Sequence, residues 1–266
     1  MKLSVIIPSF NDSRIVRTVK SILKQDFPRR DYEIIIIDGG SQDNDFISCF
    51  DFLYENADIV ISEKDKGIFD GLNKGIDVAK GELIFMIGSD DYLIDDKAFD
   101  KAFSSFEEKN DLVIFELFYV NQEDIIERYW TLPKNLRKIP QHFQIPHFST
   151  FISRKVIGDT RFDLNAYISA DYIFFKELVQ QDISTNIINV PICCMTSGGQ
   201  SSKNFMNIIK GNIQSLRIFN YNPYNIFRFF LHKIQKKFVH FTLLFFQKNK
   251  KTVFQEKINS VLRSLN

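Results

Sequence analysis

The sequence predicts an α/β protein, with a mostly parallel sheet flanked by helices and a C-terminal helical extension. Three observations predict this fold class. In roughly the first 120 residues, short apolar runs alternate with segments whose apolar residues recur every three or four positions. A hydrophobic content of 44% in 266 residues is enough for a sizeable core. Beyond residue 202 the composition changes, and the chain becomes basic.

Strands and helices alternate along the first half of the chain, which implies βαβ units and a parallel sheet. The expected strands there are residues 3–7, 33–37, 58–62 and 83–87. The expected helices are 15–23, with Asp12 or Ser13 as the N-cap, 70–80, closed by Gly81, and 96–109. Farther along we expect strands at 111–120, 148–153 and 185–190, a helix at 170–181, and room for an antiparallel hairpin within 121–144.

The formal net charge of +1 hides an asymmetry between two regions. Residues 203–266 contain twelve Lys or Arg and one acid, so they carry +11, and residues 1–202 carry −10. We therefore expect a domain at 1–202 and a basic helical extension at 203–266. Three cysteines cannot form a disulfide framework, and the N-terminus lacks the apolar region of a signal peptide, so a cytoplasmic protein is expected.

Polar and acidic clusters follow three of the expected strands, at residues 8–11, 38–43 and 89–91. Open parallel sheets bind ligands beyond the carboxyl ends of their strands. Carboxylates that meet there repel one another unless a cation joins them, and oxygen ligands favour Mg²⁺ or Mn²⁺, which commonly act with substrate phosphates. The chain has no glycine-rich phosphate loop. These residues favour a metal-bridged nucleotide diphosphate as the ligand.

Six stretches, in their order and spacing, resemble family 2 glycosyltransferases of the subgroup that builds bacterial capsular, exopolysaccharide and lipopolysaccharide chains. They are residues 5–11, 21–25, 33–43, 62–75, 79–82 and 88–93. The likeness covers about residues 1–202. It implies a GT-A, Rossmann-like fold and transfer of a sugar from a nucleotide-diphosphate donor to a glycan acceptor. It also implies a divalent metal, Mn²⁺ or Mg²⁺, and inversion at the anomeric carbon.

The resemblance also implies residue roles. Donor binding is expected at Pro8, Ser9, Asn11, Asp38, Asp65, Lys66, Asn73, Lys74, Ser89, Asp90, Asp91 and His147. Asp90 is the expected metal ligand with Asp91 as a helper, and Asp171 matches the family's catalytic base. Two positions depart from the pattern: Gly39 replaces the second aspartate after the second strand, and Gly88 replaces the first aspartate of an Asp-x-Asp motif.

Each of these residues also has a structural interpretation. Asp38 can shape a turn or cap a helix, and Asp90 and Asp91 can belong to a solvated turn. Asp70 and Lys74 can form a surface ion pair, and Asp171 can favour a helix N-terminus. His147 and Trp130 can belong to the core, although Trp130 can also stack on a sugar ring. The loop 197–202 is either a hinge that closes on the donor or a plain linker.

The basic extension contains a predicted amphipathic helix at 224–247, with basic residues and phenylalanines on different faces. We expect it to lie on the inner face of the cell membrane and to bring the site to a lipid-linked glycan acceptor. The alternatives are a helix packed on the domain or an interface between two copies, which leaves a homo-oligomer open. Nucleic acid is disfavoured because residues 1–202 are acidic.

Two other functions stay open at this stage. A sugar-nucleotide nucleotidyltransferase would also use a metal at a sheet end, but it would need a glycine- and basic-rich loop that residues 8–15 lack. A non-catalytic, membrane-associated nucleotide-sugar-binding module is kept open by Gly39 and Gly88, because each removes a carboxylate from its motif.

Overall fold

Helices and strands alternate as expected in the computed structural model, which describes residues 1–133, 144–166, 169–197, 248–265, Phe227 and Leu231. The strands are β1 (Leu3–Ser9), β2 (Tyr32–Asp38), β3 (Ile59–Ser62), β4 (Leu83–Met86), β5 (Tyr92–Leu93), β6 (Leu112–Val120), β7 (Ile126–Trp130), β8 (Thr150–Ser153) and β9 (Thr185–Thr196). The helices are α1 (Ile15–Leu23), α2 (Asn44–Ile47), α3 (Phe50–Asn56), α4 (Ile68–Val78), α5 (Ala98–Glu107), α6 (Arg154–Ile157), α7 (Ala170–Gln180) and α8 (Lys248–Leu265). Short 3-10 helices occupy Arg29–Asp31 and His147–Ser149.

The strands form one sheet in the order β3-β2-β1-β4-β8-β6-β9-β5, with β7 paired to β6. The first four strands of this order are parallel, and β6 and β9 are parallel to each other. Strand β8 runs antiparallel to both β4 and β6, and β7 and β5 form shorter antiparallel edges. The longer ladders are the parallel ones, and the predicted fold class is confirmed.

Both faces of the sheet are buried, which explains the continuous apolar runs in the sequence. Because side chains alternate along a strand, Val5 and Ile7 of β1 point to one core cluster, and Ile6 points to the other. Helices α1, α3 and α5 cover the first face, and α4 and α7 cover the second. This layering leaves the carboxyl ends of β1–β4 as the edge where loops can form a site.

Several expectations about local structure need correction. The N-cap of α1 is Arg14 rather than Asp12 or Ser13, although the Asp12 carboxylate accepts a hydrogen bond from the Arg14 backbone N–H. Helix α4 ends at Val78, and Gly81 does not close it. Gly81 instead lies against β1, where a Cβ would be 2.4 Å from the Ser4 nitrogen. The helices at 44–56 and the strand β5 were not predicted, since their short segments carry no clear periodicity.

The last helix, α8, packs on the domain. Ile258 and Leu265 are buried in a cluster with Phe118 of β6, and Lys20 of α1 donates a hydrogen bond to the Leu265 carbonyl at 2.8 Å. The predicted amphipathic helix at 224–247 lies outside the described residues except for Phe227 and Leu231, so the domain boundary after residue 202 stays a prediction. Within the described part of the chain, every helix is too short or too polar to cross a bilayer.

Candidate active site

Residues just after β1 hold the loops that follow β2 and β4 at one edge of the sheet. Asn11 adopts a positive φ of 50°, and its side-chain oxygen accepts hydrogen bonds from the Gln42 and Asp43 backbone at 2.8 and 2.9 Å. On the other side, the Arg14 guanidinium lies 3.4 Å from the Asp90 carboxylate. The three clusters at strand ends therefore meet in one place, as the parallel sheet requires.

Asp38, at the end of β2, is fully buried and hydrogen-bonded within the chain. Its carboxylate accepts bonds from the Ser41 backbone N–H at 3.0 Å, from the Ser41 hydroxyl, and from the Ser62 hydroxyl at 2.6 Å. Both of its oxygens are used to fix the turn after β2 and to join it to β3. A contact between Asp38 and a donor stays a prediction.

The space at Gly39 is filled by a carboxylate from another part of the chain. A Cβ at this position would lie 2.8 Å from one Asp65 carboxylate oxygen and 3.0 Å from the other. Gly71 brings Pro8 and Asp65 together, because a Cβ there would be 3.3 Å from the Pro8 Cβ and 3.5 Å from Asp65. Asp65 is fixed by a 2.8 Å bond from the Gly67 N–H. The Asp65 carboxylate thus occupies the space that a side chain at position 39 would enter, and a role for Asp65 in donor binding stays a prediction.

Two polar residues of α4, Asn73 and Lys74, have partners within the chain. Both polar atoms of the Asn73 amide bond to the Phe162 backbone, at 2.8 and 2.9 Å. Lys74 forms ion pairs with Glu63 at 2.7 Å and with Asp70 at 3.9 Å, and the Glu63 contact raises the Lys74 pKa. The Lys66 side chain is exposed. Roles for Asn73, Lys66 and Lys74 in donor binding remain predictions, and for Asn73 the geometry favours a structural role.

Asp90 and Asp91 point carboxylate oxygens at the space that Gly88 leaves. A Cβ at Gly88 would lie 2.7 Å from Asp91 Oδ2 and 3.2 Å from Asp90 Oδ1. Asp91 is buried; its Oδ1 accepts a hydrogen bond from the Thr196 N–H at 2.9 Å, while its Oδ2 has no partner among the described residues. Helix α1 fixes the backbone, since the Thr18 hydroxyl lies 2.6 Å from the Asp91 carbonyl oxygen.

This pair of carboxylates is electrostatically strained. Burial, followed by the charge of Asp90, raises the Asp91 pKa well above its ordinary value. Burial also raises the Asp90 pKa, and the positive charge of Arg14 opposes that shift. Arg14 is itself held by two bonds to the Asp12 carboxylate, at 2.7 and 2.8 Å. The positive charge of Arg14 is therefore shared between the Asp90 and Asp12 carboxylates.

The unpartnered Asp91 oxygen and the space at Gly88 fit a divalent cation. Mg²⁺ and Mn²⁺ are often held by one or two carboxylates and complete their coordination with substrate phosphates and water. Ser89 precedes this pair, and the Ser9 hydroxyl at the end of β1 is also buried without a partner in the described part of the chain. No group of three or more His, Cys, Asp or Glu side chains that could hold a metal is found among the described residues.

The predicted base and the predicted histidine lie next to each other. His147 Nδ1 lies 3.6 Å from the Asp171 carboxylate, and Asp171 occupies the first turn of α7. Both side chains are largely buried. Burial lowers the His147 pKa and raises the Asp171 pKa, and in each case the charge of the other residue opposes the shift. A carboxylate whose pKa is raised is a stronger base than an ordinary one.

Three residues at the site were missed by sequence reasoning. Thr196 anchors Asp91, but the strand that carries it was predicted to end at residue 190. Arg14 contacts Asp90 from 76 positions away in the chain. Tyr119 lies within electrostatic reach of Asp91 and Asp171, and burial raises its pKa to about 12. No local sequence signal marks Arg14 or Tyr119.

Comparison with known proteins identifies the family of this chain. Residues 4–162 match the model of the family described as Glycosyl transferase family 2. The chain belongs to this family. Glycosyltransferase GlyG of Streptococcus pneumoniae serotype 4 is 28% identical over 179 residues, which are 66% of this chain and 56% of GlyG. The minor teichoic acid biosynthesis protein GgaB of Bacillus subtilis is 25% identical over 67% of this chain and 21% of its own length. The chain thus spans between a fifth and just over half of these family members.

Solved structures show the same fold at low sequence identity. Staphylococcus aureus TarS 1–349 in complex with UDP-GlcNAc has a TM-score of 0.63 and 18% identity, over 81% of this chain and 67% of that one. Mannosyltransferase PcManGT of Pyrobaculum calidifontis, in complex with GDP-Man and Mn²⁺, has a TM-score of 0.60 and 13% identity, over 81% of this chain and 64% of that one. The GT-A fold expected from the family resemblance is confirmed.

Proposed function

We propose that this protein transfers a sugar, with inversion, from a nucleotide-diphosphate donor to a glycan acceptor in surface polysaccharide synthesis. The observation that carries the proposal is the Asp90–Asp91 pair beside Gly88, with one buried carboxylate oxygen left without a partner. This pair lies at the sheet edge that also holds Pro8, where open parallel sheets bind their ligands.

Asp171 is the proposed base. In an inverting transfer the acceptor hydroxyl attacks the anomeric carbon from the face opposite the leaving diphosphate, and a carboxylate near that hydroxyl takes its proton. Burial gives Asp171 a raised pKa, which suits it to this step. His147, 3.6 Å away, orients the carboxylate and limits the rise in its pKa.

Asp90 and Asp91 are the proposed ligands of Mn²⁺ or Mg²⁺. A bound divalent cation would supply positive charge that neutralises the departing diphosphate. The chain's own contribution is to hold the two carboxylates in place, through the Thr196 N–H and the Thr18 hydroxyl, and to keep water away from Asp91. Arg14 adds a fixed positive charge at the rim.

The similar proteins guide the choice of donor. TarS was solved with UDP and with UDP-GlcNAc, PcManGT with GDP-Man and Mn²⁺, and GgaB is named for teichoic acid synthesis. The TarS complexes support a UDP-sugar as the first donor to test, and the PcManGT complex supports GDP-mannose as the second. We further propose a cytoplasmic protein, bound to the inner face of the membrane through the basic extension, with a lipid-linked glycan as acceptor.

Donor turnover tests the enzymatic proposal. Nucleotide release from UDP-GlcNAc and GDP-mannose should require Mn²⁺ or Mg²⁺ and should be lost in Asp90→Asn. Asp100→Asn, at an exposed position on α5, is the matched control and should keep full turnover. If UDP binds but no nucleotide sugar is consumed, the binding-module alternative replaces this proposal, and consumption of a nucleoside triphosphate with a sugar phosphate would favour the nucleotidyltransferase.

Charge reversal tests the membrane proposal better than truncation, because α8 buries Ile258 and Leu265 in the domain. Lys233, Lys236 and Lys237 are changed together to Glu, and the control changes Lys24, Lys97 and Lys155, which are exposed elsewhere. Flotation with anionic vesicles should fall for the first variant and stay unchanged for the control. Equal flotation of both variants would remove the membrane proposal.

A further inference from the structure

The β6–β7 hairpin presents a group of side chains that the proposed transfer leaves unused. Tyr119 of β6 and Arg128 of β7 are direct cross-strand partners, and Trp130 lies two residues farther along β7. Because side chains alternate along a strand, these three share one face of the hairpin. Phe118 and Tyr129 occupy the opposite face, where Phe254 of α8 covers them.

The three side chains form a stack of two rings and a cation. The Tyr119 and Trp130 rings are nearly parallel, at 15°, with centroids 5.9 Å apart. The Arg128 guanidinium carbon lies 3.7 Å from the Tyr119 ring centroid and 5.7 Å from that of Trp130. A stacked guanidinium is fixed in orientation and keeps N–H groups at its edge for two parallel hydrogen bonds to an anion.

Arg128 has no carboxylate partner within the described ranges, unlike Arg14, Arg17 and Arg161, which all form ion pairs. It is also exposed. A fixed, exposed and uncompensated guanidinium is suited to bind a carboxylate or a phosphate from outside the chain. The neighbouring rings are partly exposed and can pack against the apolar face of a sugar.

The position of this stack relates it to the acceptor rather than to the donor diphosphate. Val120 pairs with Thr196, whose N–H bonds to Asp91, so Tyr119 lies next to the proposed metal ligands. Trp130 packs against the core cluster that contains Phe148 and Ala170, the neighbours of His147 and Asp171. Tyr119 also lies within electrostatic reach of both Asp91 and Asp171, so the stack adjoins the proposed leaving-group site and the proposed base.

We propose that Tyr119, Arg128 and Trp130 form an acceptor subsite for a saccharide that carries an anionic group close to the sugar that is glycosylated. The rings hold the sugar, and Arg128 holds the carboxylate or phosphate. This inference rests on the proposed function, because it assigns the class of acceptor for that same site. It adds a requirement that the transfer reaction alone does not impose, namely a negative charge on the acceptor.

The fluorescence of Trp130 tests the inference directly, because it is the only tryptophan in the chain. The protein, loaded with UDP and Mn²⁺, is titrated with methyl galactoside, methyl galactoside 6-phosphate and methyl galacturonide. We expect a saturable change of Trp130 emission with a charged saccharide. The dissociation constant of the neutral saccharide should be at least about tenfold higher. Comparing the 6-phosphate with the galacturonide shows whether Arg128 prefers a phosphate or a carboxylate.

Variants separate charge from stacking. Arg128→Gln should abolish the preference for the charged saccharide, Arg128→Lys should retain only part of it, and Arg30→Gln, at an exposed position after α1, should leave it unchanged. Equal affinity for the neutral and charged saccharides, no response to either charged one, or an Arg128→Gln variant that behaves like the wild type would each overturn the inference.

A parallel calorimetric titration with UDP and Mn²⁺ distinguishes this inference from the proposed function. Absence of UDP binding in the wild type would contradict the proposed function, whatever the saccharides do. If Arg128→Gln weakens UDP binding while saccharide binding is unaffected, Arg128 belongs to the donor site and the acceptor subsite is wrong. We expect UDP binding to be the same in the wild type, Arg128→Gln and Arg30→Gln.

Discussion

The two halves of the sheet edge differ in whether the oxygens of their carboxyl and amide side chains have partners within the chain. At the ends of β1, β2 and β3, Asn11 and Asp38 direct their side-chain oxygens to hydrogen-bond donors of the same chain. At the ends of β4 and β9 and the start of α7, Asp91 leaves one buried oxygen without a partner among the described residues. There, burial also shifts the pKa values of Asp91, His147 and Asp171.

The difference separates a scaffold from a reactive region. Satisfied buried polar groups stabilise the fold, whereas buried charges without partners destabilise it and persist where a ligand uses them. The β1–β3 side therefore shapes the pocket, and the β4–α7 side holds the groups that act on the substrate. Substitutions on the two sides should have opposite effects on stability and activity.

The largest effect is expected from Asp171→Asn. If Asp171 is the base, donor turnover should fall by about 10²- to 10⁴-fold while the fold is retained. Because the asparagine removes a buried charge, the melting temperature at neutral pH should stay the same or rise. Turnover assays and thermal melts on the same preparation check both expectations, and wild-type turnover in this variant would remove Asp171 from the mechanism.

Asp38→Ala should lower the stability of the fold, in contrast to Asp171→Asn. It leaves the Ser41 and Ser62 donors without their acceptor, so we expect a loss of about 2–3 kcal/mol in the free energy of unfolding. Urea denaturation measures this loss. Asp38→Asn keeps one acceptor oxygen and should lose less. A variant as stable as the wild type but unable to bind nucleotide would show that Asp38 contacts the donor and does not only fix the turn.

A smaller change of opposite sign is expected from Asp91→Asn without metal. The asparagine oxygen can still accept the Thr196 bond, and, since burial raises the Asp91 pKa, removal of the ionisable group should increase the free energy of unfolding at pH 7. The same variant should lose the stabilisation that Mn²⁺ and UDP together give the wild type. If Mn²⁺ and UDP raise the melting temperature of Asp91→Asn as much as that of the wild type, Asp91 is not a metal ligand.

The smallest effect is a shift in pH dependence. The pKa of Asp171 is higher in the folded state than in the unfolded chain. The protonated carboxyl therefore contributes stability at low pH, and this contribution is lost as the pH rises through the folded-state pKa. Activity needs the ionised form and should increase over the same interval. Since His147 opposes the rise in the Asp171 pKa, His147→Ala should move the acidic limb of kcat/KM to higher pH. If the acidic limb of the kcat/KM profile is the same in His147→Ala and in the wild type, His147 does not influence the Asp171 pKa.

The scaffold side could be predicted from the sequence more fully than the reactive side. Strands β1, β2 and β4 were predicted to within two residues, because isoleucine-rich runs that end at Pro or Gly leave few alternatives. The gathering of the three strand-end clusters followed from parallel pairing alone. The partners of Asp91 and Asp38 did not follow, since Thr196 and Ser62 come from other strands whose register no local pattern specifies.

The two glycines illustrate the same limit. In the sequence, Gly39 and Gly88 indicate missing carboxylates, yet in three dimensions each glycine adjoins carboxylates from other positions. Asp65 fills the space at Gly39, and Asp90 and Asp91 border the space at Gly88. Sequence comparison scores the identity of a residue at a position, whereas the chemistry depends on which atoms reach a point in space.

The most direct test of this account is calorimetric titration of Mn²⁺ into the UDP-bound protein, comparing the wild type, Gly88→Ala and Asp100→Asn. A Cβ at Gly88 would lie 2.7 Å from Asp91 Oδ2, whereas Asp100 is an exposed residue of α5. We predict that Mn²⁺ binding is retained in Asp100→Asn and lost in Gly88→Ala. Undiminished Mn²⁺ binding by Gly88→Ala would contradict the claim that the two carboxylates beside this glycine hold the metal.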